Sequence, residues 1–190
     1  MRSALVVVGA SLGGVSALRK VLGALPAGFG VPVVVVQHRL AEGGDELRRA
    51  LQEACTLPVC EAEDKQELRP GAVYLAPADY HLLVELGHLS LSTEEPVHYS
   101  RPAVDPLFES AAEAYGKGVV GVVLTGSNSD GAAGAARIAA AGGKVVVQDA
   151  AEAERPEMPW AAGMAVGEPI VLRLGEIAGY LRRLAAEEER

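Results

Sequence analysis

Short, evenly apolar runs alternate along this chain with stretches in which apolar residues return every three or four positions. Leu5 to Val8, Val33 to Val36, Val119 to Leu124 and Val145 to Val147 are too uniformly apolar, and too rich in β-branched side chains, for half-exposed strands. They read as central strands of a parallel sheet covered on both faces. Val15 to Leu25 places Val15, Leu18, Val21, Leu22 and Leu25 at helical spacing with Arg19 and Lys20 on the other side, and Pro26 ends it. Further helices are predicted over Asp45 to Ala54, Ala103 to Tyr115, Ala132 to Ala141, near Ala161 and over Gly175 to Ala186, with the EEER tail expected to fray. Shorter strands are predicted over Leu57 to Cys60, Ala72 to Leu75 and Ile170 to Leu172, and Leu82 to Glu85 with His88 to Ser92 reads as a hairpin turning through Leu86 and Gly87. The predicted fold is α/β: a three-layer sandwich with a doubly wound, mostly parallel sheet and one antiparallel hairpin, in a single domain spanning residues 1–190.

Sites in open α/β sheets lie at the carboxyl ends of the strands, so the residues that follow each apolar run carry the chemical signal. The first run leads into GASLGG, Gly9 to Gly14, and the second into Gln37 and His38. The crossover between them suits a right-handed βαβ unit, which places Ser11 and His38 at one sheet edge. Gly9, Ser11 and Gly13 have the spacing of a nucleophile elbow, a strained turn that lifts a serine hydroxyl off the strand end. Gly9 and Gly14 also match the outer glycines of a dinucleotide fingerprint, but its middle position must be bare backbone and here is Ser11. No GK followed by Ser or Thr completes a P-loop. The nucleophile is the favoured reading, and capping of the next helix is the structural alternative for Ser11.

Charge and composition narrow the partners. With 17 basic and 25 acidic residues the net charge is -8, which repels a phosphate backbone and an anionic membrane, so no nucleic acid and no membrane insertion are expected. No apolar stretch is long enough to span a bilayer, and the N-terminal run is too short for a signal peptide. Cys55 and Cys60 have neither redox nor zinc spacing and read as reduced thiols of a cytoplasmic protein. His38, His81, His88 and His98 show no metal-ligand spacing, so neither a metal nor another cofactor is expected.

A serine hydroxyl needs a base, and a histidine oriented by a carboxylate is the common solution. Ser11 and His38 supply two parts. For the acid, Asp130 in the loop after Leu124 and Asp149 after Val147 are both well placed. Asp130 is preferred because its Gly-, Ser- and Asn-rich loop lets a carboxylate turn back over the sheet. Asp79 and Asp105 are weaker, since capping of the helix that starts at Ala103 accounts for Asp105. The order of these residues does not fit a standard α/β-hydrolase, and no late DxxH is present. Trp160, between Pro159 and Ala161, is read as lying in a loop.

With those residues in place, the chain resembles the catalytic domain of the chemotaxis protein-glutamate methylesterases, the CheB family. The resemblance rests on VGASLGG ending at Gly14, VVVQH ending at His38, YLAPADYH at Tyr74 to His81, RPAVDPLFESAAEAYG at Arg101 to Gly116, GVVLTGSNSDGAAG at Gly121 to Gly134, GGKVVVQD at Gly142 to Asp149, and EMPWAAG at Glu157 to Gly163. It implies Ser11 as nucleophile, His38 as base and Asp130 as orienting acid. It also implies hydrolysis of glutamate methyl esters, and deamidation of some glutamines, on the cytoplasmic helices of chemoreceptors. The turn at Leu12 and Gly13 and the loop at Gly126, Ser127 and Asn128 are the expected sources of oxyanion donors.

The resemblance has departures. The family usually carries methionine at the position of Ser127, glycine at that of Asn128, and APG where Ala76 to Ala78 reads APA. Asn tolerates positive φ, so the loop path is expected to survive. Regulated members carry a receiver domain ahead of the catalytic one, whereas here the pattern begins at Leu5; a stand-alone, constitutively open site is expected, or control by a separate receiver protein. Two other functions compete: a signalling interaction module without turnover, and a serine esterase for an unrelated carboxyl ester.

Overall fold

The structure is a computed structural model that describes residues 5–40 and 44–187; Glu188 to Arg190, the end of the tail predicted to fray, lie outside them. Nine strands and six helices follow one another as β1 (Leu5–Ala10), α1 (Gly14–Gly23), β2 (Val33–Gln37), α2 (Glu46–Ala54), β3 (Val59–Glu61), β4 (Val73–Leu75), β5 (His81–Glu85), β6 (His88–Ser92), α3 (Val104–Tyr115), β7 (Val119–Val123), α4 (Ala132–Ala140), β8 (Lys144–Gln148), α5 (Glu157–Val166), β9 (Ile170–Leu172) and α6 (Leu174–Glu187) among the described residues. Seven strands form one parallel sheet in the order β3-β4-β2-β1-β7-β8-β9, and β5 and β6 pair antiparallel as a separate ribbon.

Strand alternation splits the apolar residues between two cores, one on each side of the sheet. Val6, Val8, Val33, Val35, Val120, Val122 and Val146 face α1, α2 and α6; Leu5, Val7, Val34, Val36, Val119, Val123, Val145 and Val147 face α3, α4, α5 and the ribbon. This is why the four runs are apolar at every position rather than at every second one. The expected three-layer, doubly wound architecture is the one found. Successive units add outward from β1 in one direction through β2 and β4, and in the other through β7, β8 and β9. The winding therefore reverses between β1 and β7, a topological switch point of the kind where such folds form a crevice.

Close packing here depends on small residues. A Cβ on Gly9 would stand 2.4 Å from Val104 Cγ1, and one on Gly121 would stand 2.8 Å from Ile138 Cδ1. Helices α3 and α4 thus approach the sheet at distances no side chain allows. Two local readings change. Trp160 belongs to α5, which begins already at Glu157 because Pro159 is tolerated in a first turn, and its side chain is exposed. Asp105 does not cap α3, whose N-cap is Ala103; its carboxylate instead accepts the Gly134 N–H at 2.7 Å and ties α3 to α4.

Candidate active site

The backbone fixes the two central strand ends against each other before any side chain acts. His38 N–H donates to the Ala10 carbonyl at 3.0 Å, and Ser11 N–H donates to the Thr125 carbonyl at 3.0 Å. Ser11, His38 and the loop after β7 are consequently stitched across three adjacent strands. Gly13, at φ 79°, takes the left-handed turn that starts α1, and the exposed Glu154 side chain packs where a Cβ would stand. The strain expected of a nucleophile elbow is absent from Ser11, since the positive-φ residues other than glycine among those described are Lys65, Asp79, His98 and Tyr99. Nor does Ser11 cap α1, whose N-cap is Gly13 with no side-chain bond.

Three side chains meet at this edge. Ser11 Oγ lies 3.0 Å from His38 Nδ1, and His38 Nε2 lies 2.6 Å from Asp130 Oδ2. An ionised carboxylate only accepts, so Nε2 carries the ring proton and Nδ1 is left as an acceptor facing the serine hydroxyl. The His38 side chain is 11% exposed and Asp130 is fully buried. Ser11, Leu12, Gly13, Gly14, Gln37 and His38 line a cavity of about 350 Å³. Asp149 is elsewhere: its Oδ1 accepts the Ala151 N–H, and its own N–H donates to the Leu172 carbonyl beyond β8. Asp79 is held by Arg101 Nε and Nη2.

Asp130 is seated on the start of α3. Its Oδ2 accepts the Val104 N–H at 2.6 Å and its Oδ1 the Asp105 N–H at 2.9 Å, two of the donors that a helix N-terminus leaves unpaired. Burial by itself pushes the Asp130 carboxyl up; the hydrogen bonds from His38, Val104 and Asp105 outweigh it and hold the group below the ordinary carboxylate value. Asn128 Oδ1 accepts the Asp130 N–H at 3.1 Å in an Asx turn, and Asn128 is not at positive φ. The loop keeps its path through this side-chain bond rather than through the backbone freedom expected of asparagine.

Beside the acid, His98 Nε2 reaches Asp105 Oδ2 at 3.1 Å. Burial pushes Asp105 up, the charge of Asp130 adds to the shift, and the bonds from Gly134 and His98 oppose it. The ligand atoms of His98, Asp105 and Asp130 fall within 4.8 Å of one another. Both carboxylates are already engaged by backbone N–H groups, so the trio reads as a hydrogen-bonded support for the acid.

The expected oxyanion donors fall into two groups. Gly126 N–H is spent on the Arg155 carbonyl at 3.0 Å, so it is not available. Leu12, Gly13 and Ser127 N–H have no acceptor among the described residues. Gly126 contributes by size instead: a Cβ there would stand 2.8 Å from Ser11 Cβ and closer still to Met158 Sδ.

Gln37, Thr125 and Gln148 hold the site beyond the residues expected from the sequence. Gln37 Nε2 donates to the Ser11 and His38 carbonyls at 2.8 and 3.0 Å, Thr125 Oγ1 lies 3.0 Å from the Leu12 carbonyl, and Thr125 N–H donates to Gln148 Oε1 at 2.9 Å. A signal was present in VVVQH and VVVQD, where a glutamine ends a buried valine run at the sheet edge in both cases. A buried amide there must find partners in the neighbouring loops.

The sequence matches the CheB methylesterase family over residues 6–181. It is 45% identical over 180 residues to a Leptospira interrogans protein named as a candidate protein-glutamate methylesterase/protein-glutamine glutaminase, covering 94% of this chain and 93% of that one. A Rhodospirillum rubrum protein-glutamate methylesterase/protein-glutamine glutaminase is 39% identical over 190 residues, 97% of this chain and 49% of the relative. The crystal structure of the Thermotoga maritima CheB methylesterase catalytic domain superposes with a TM-score of 0.92 at 34% identity, over 97% of this chain and 100% of that one. No helix among the described residues is long and apolar enough to cross a membrane. By sequence match, by the names of its relatives and by fold, the chain belongs to the CheB methylesterase family.

Proposed function

We propose that this chain is a serine hydrolase of side-chain carboxyl derivatives, removing methyl esters from glutamates and deamidating glutamines on the cytoplasmic helices of chemoreceptors. The observation that carries the reading is the relay from Ser11 Oγ to His38 Nδ1 at 3.0 Å and from His38 Nε2 to Asp130 Oδ2 at 2.6 Å. Ser11 Oγ attacks the ester carbonyl carbon while His38 Nδ1 takes the hydroxyl proton. Asp130 stabilises the imidazolium, and the N–H groups of Leu12, Gly13 and Ser127 are the candidate donors to the oxyanion.

Collapse of the tetrahedral species breaks the bond to the methoxy oxygen, and the imidazolium gives that oxygen its proton, releasing methanol. Water then attacks the Ser11 ester with His38 again as base, leaving glutamate and the free serine. With glutamine the leaving group is ammonia and the remaining steps are the same. Burial of Asp130 and the hydrogen bonds on both its oxygens support its role as an orienting charge rather than as a second proton carrier.

Methanol release from receptor fragments carrying glutamate methyl esters tests the reading. Wild type is expected to release methanol, with Ser11→Ala and His38→Ala at background and Asp149→Ala unchanged. Equal release by wild type and Ser11→Ala would overturn the serine mechanism; cleavage of small esters through Ser11 without release from receptor would overturn the substrate.

A further inference from the structure

The two peptide units that follow Ser11 are held from behind. In a trans peptide the N–H and C=O point in opposite directions, and the one cis bond among the described residues is Arg101–Pro102. The Ser11 carbonyl shares its peptide with Leu12 N–H and accepts from Gln37 Nε2 at 2.8 Å as well as from Gly14 N–H. The Leu12 carbonyl shares its peptide with Gly13 N–H and lies 3.0 Å from Thr125 Oγ1. Thr125 has one hydroxyl proton and a second carbonyl in reach, that of Arg155 at 3.2 Å. The Arg155 carbonyl already accepts the Gly126 N–H, whereas no other donor reaches the Leu12 carbonyl among the described residues, so the proton belongs to Leu12.

The Thr125 clamp acts where the backbone would otherwise be free to turn, and the Gln37 clamp adds to the Gly14 N–H already on the Ser11 carbonyl. Gly13 at φ 79° is a residue for which rotation of the preceding peptide is cheap, so its N–H needs an external constraint. Gln37 is almost fully buried and leaves its Oε1 without a partner. Reversing the amide would turn an oxygen onto the Ser11 and His38 carbonyls, so the orphaned oxygen follows from engaging both carbonyls at once.

We propose that Gln37 and Thr125 are positioning residues that hold the Leu12 and Gly13 N–H groups toward the cavity as two of the oxyanion donors. The inference rests on the serine-hydrolase reading of Ser11. Each side chain fixes a peptide plane through the carbonyl it engages. Loss of the Thr125 clamp lets its peptide rotate, and loss of the Gln37 clamp leaves the Ser11 carbonyl on the Gly14 N–H alone; each change weakens one donor to the tetrahedral intermediate while leaving the contact between His38 and Asp130 in place.

The test compares hydrolysis of a 4-nitrophenyl ester and its thiono analogue by the full chain, because a sulfur anion fits a hole built for oxygen poorly. Wild type is expected to favour the oxygen ester strongly. In Thr125→Val and Gln37→Met, kcat on the oxygen ester is expected to fall about 10- to 100-fold with KM within about twofold. The oxygen-to-sulfur rate ratio falls with it, the pH midpoint stays in place, and Thr125→Ser retains most of the activity. The ratio does not depend on how much of a variant is folded, so poor folding cannot imitate the result. A wild-type ratio in both variants, or equal losses in Thr125→Ser and Thr125→Val, would overturn the positioning role while Ser11-dependent activity stands. Equal cleavage of the oxygen ester by wild type and Ser11→Ala would remove the hydrolase reading and this inference together.

Discussion

The carboxylate oxygen of Asp130 that meets His38 also accepts the N–H of Val104, at 2.6 Å in each case, so the first turn of α3 grips the acid from below while the imidazole engages it from the side. This links the packing of a helix to the geometry of the relay. Val104 closes the same contact sterically, since its methyl groups occupy the space that Gly9 and Gly131 leave open.

Replacing Asp130 should therefore cost both stability and activity. Asp130→Ala leaves the N–H groups of Val104 and Asp105 buried without acceptors, at about 1–3 kcal/mol each. Asp130→Asn keeps one acceptor oxygen, so it should lose less stability while activity still falls by orders of magnitude. Urea denaturation alongside ester hydrolysis separates the two effects; an Asp130→Asn variant with full activity would contradict the role of the charge.

The pH dependence follows from the sign of the shift. Asp130 is held below the ordinary carboxylate value in the folded chain, so the unfolded chain takes up the proton first as pH falls. Its stabilisation is complete above the unfolded value of about 4 and is lost as pH falls through the lower folded value. Asp105 is shifted the other way, so its ionisation favours unfolding as pH rises above the unfolded value. The stability difference between wild type and Asp130→Asn, measured by denaturation at a series of pH values, should shrink on acidification; a constant difference would exclude the charged state as its source.

Gly126→Ala should damage catalysis, because the new methyl group would stand 2.8 Å from Ser11 Cβ and within the space of Met158. Overpacking of this kind costs roughly 1–3 kcal/mol and displaces the nucleophile. Gly28→Ala, with no atom beyond its own chain neighbours within 4 Å of the added carbon, is the matched control and should leave hydrolysis unchanged. Equal rates in the two variants would show that the Ser11 position tolerates movement.

Asn128→Ala removes the acceptor that orders the Asp130 N–H and should lower kcat several-fold with little change in overall unfolding. Asn128→Asp, which keeps the Asx oxygen, should restore most of it. Steady-state kinetics on a small ester reads this directly, and an unaffected Asn128→Ala would mean that α3 alone seats the acid.

Much of this arrangement was legible in the residues, for identifiable reasons. The four valine-rich runs predicted buried strands, and the βαβ rule brought Ser11 and His38 to neighbouring strand ends. Pattern left Asp130 and Asp149 close rivals because both follow a buried strand. They part in space because β7 is the neighbour of β1 and β8 lies one strand farther out. Asp105 reads as a cap from sequence, which places it near a helix start without revealing that Asp130, distant in the chain, already fills that role. The clamps from Gln37 and Thr125 depend on which loops meet at the sheet edge, and local propensity carries no record of that.

Covalent labelling with a fluorophosphonate, read by peptide mass, decides whether His38 activates Ser11, because such reagents capture a serine only when a neighbouring base activates it. Label is expected on the peptide containing Ser11 in wild type, none in His38→Ala, and strongly slowed labelling in Asp130→Asn. Label on a different residue, or undiminished label on Ser11 in His38→Ala, would contradict it.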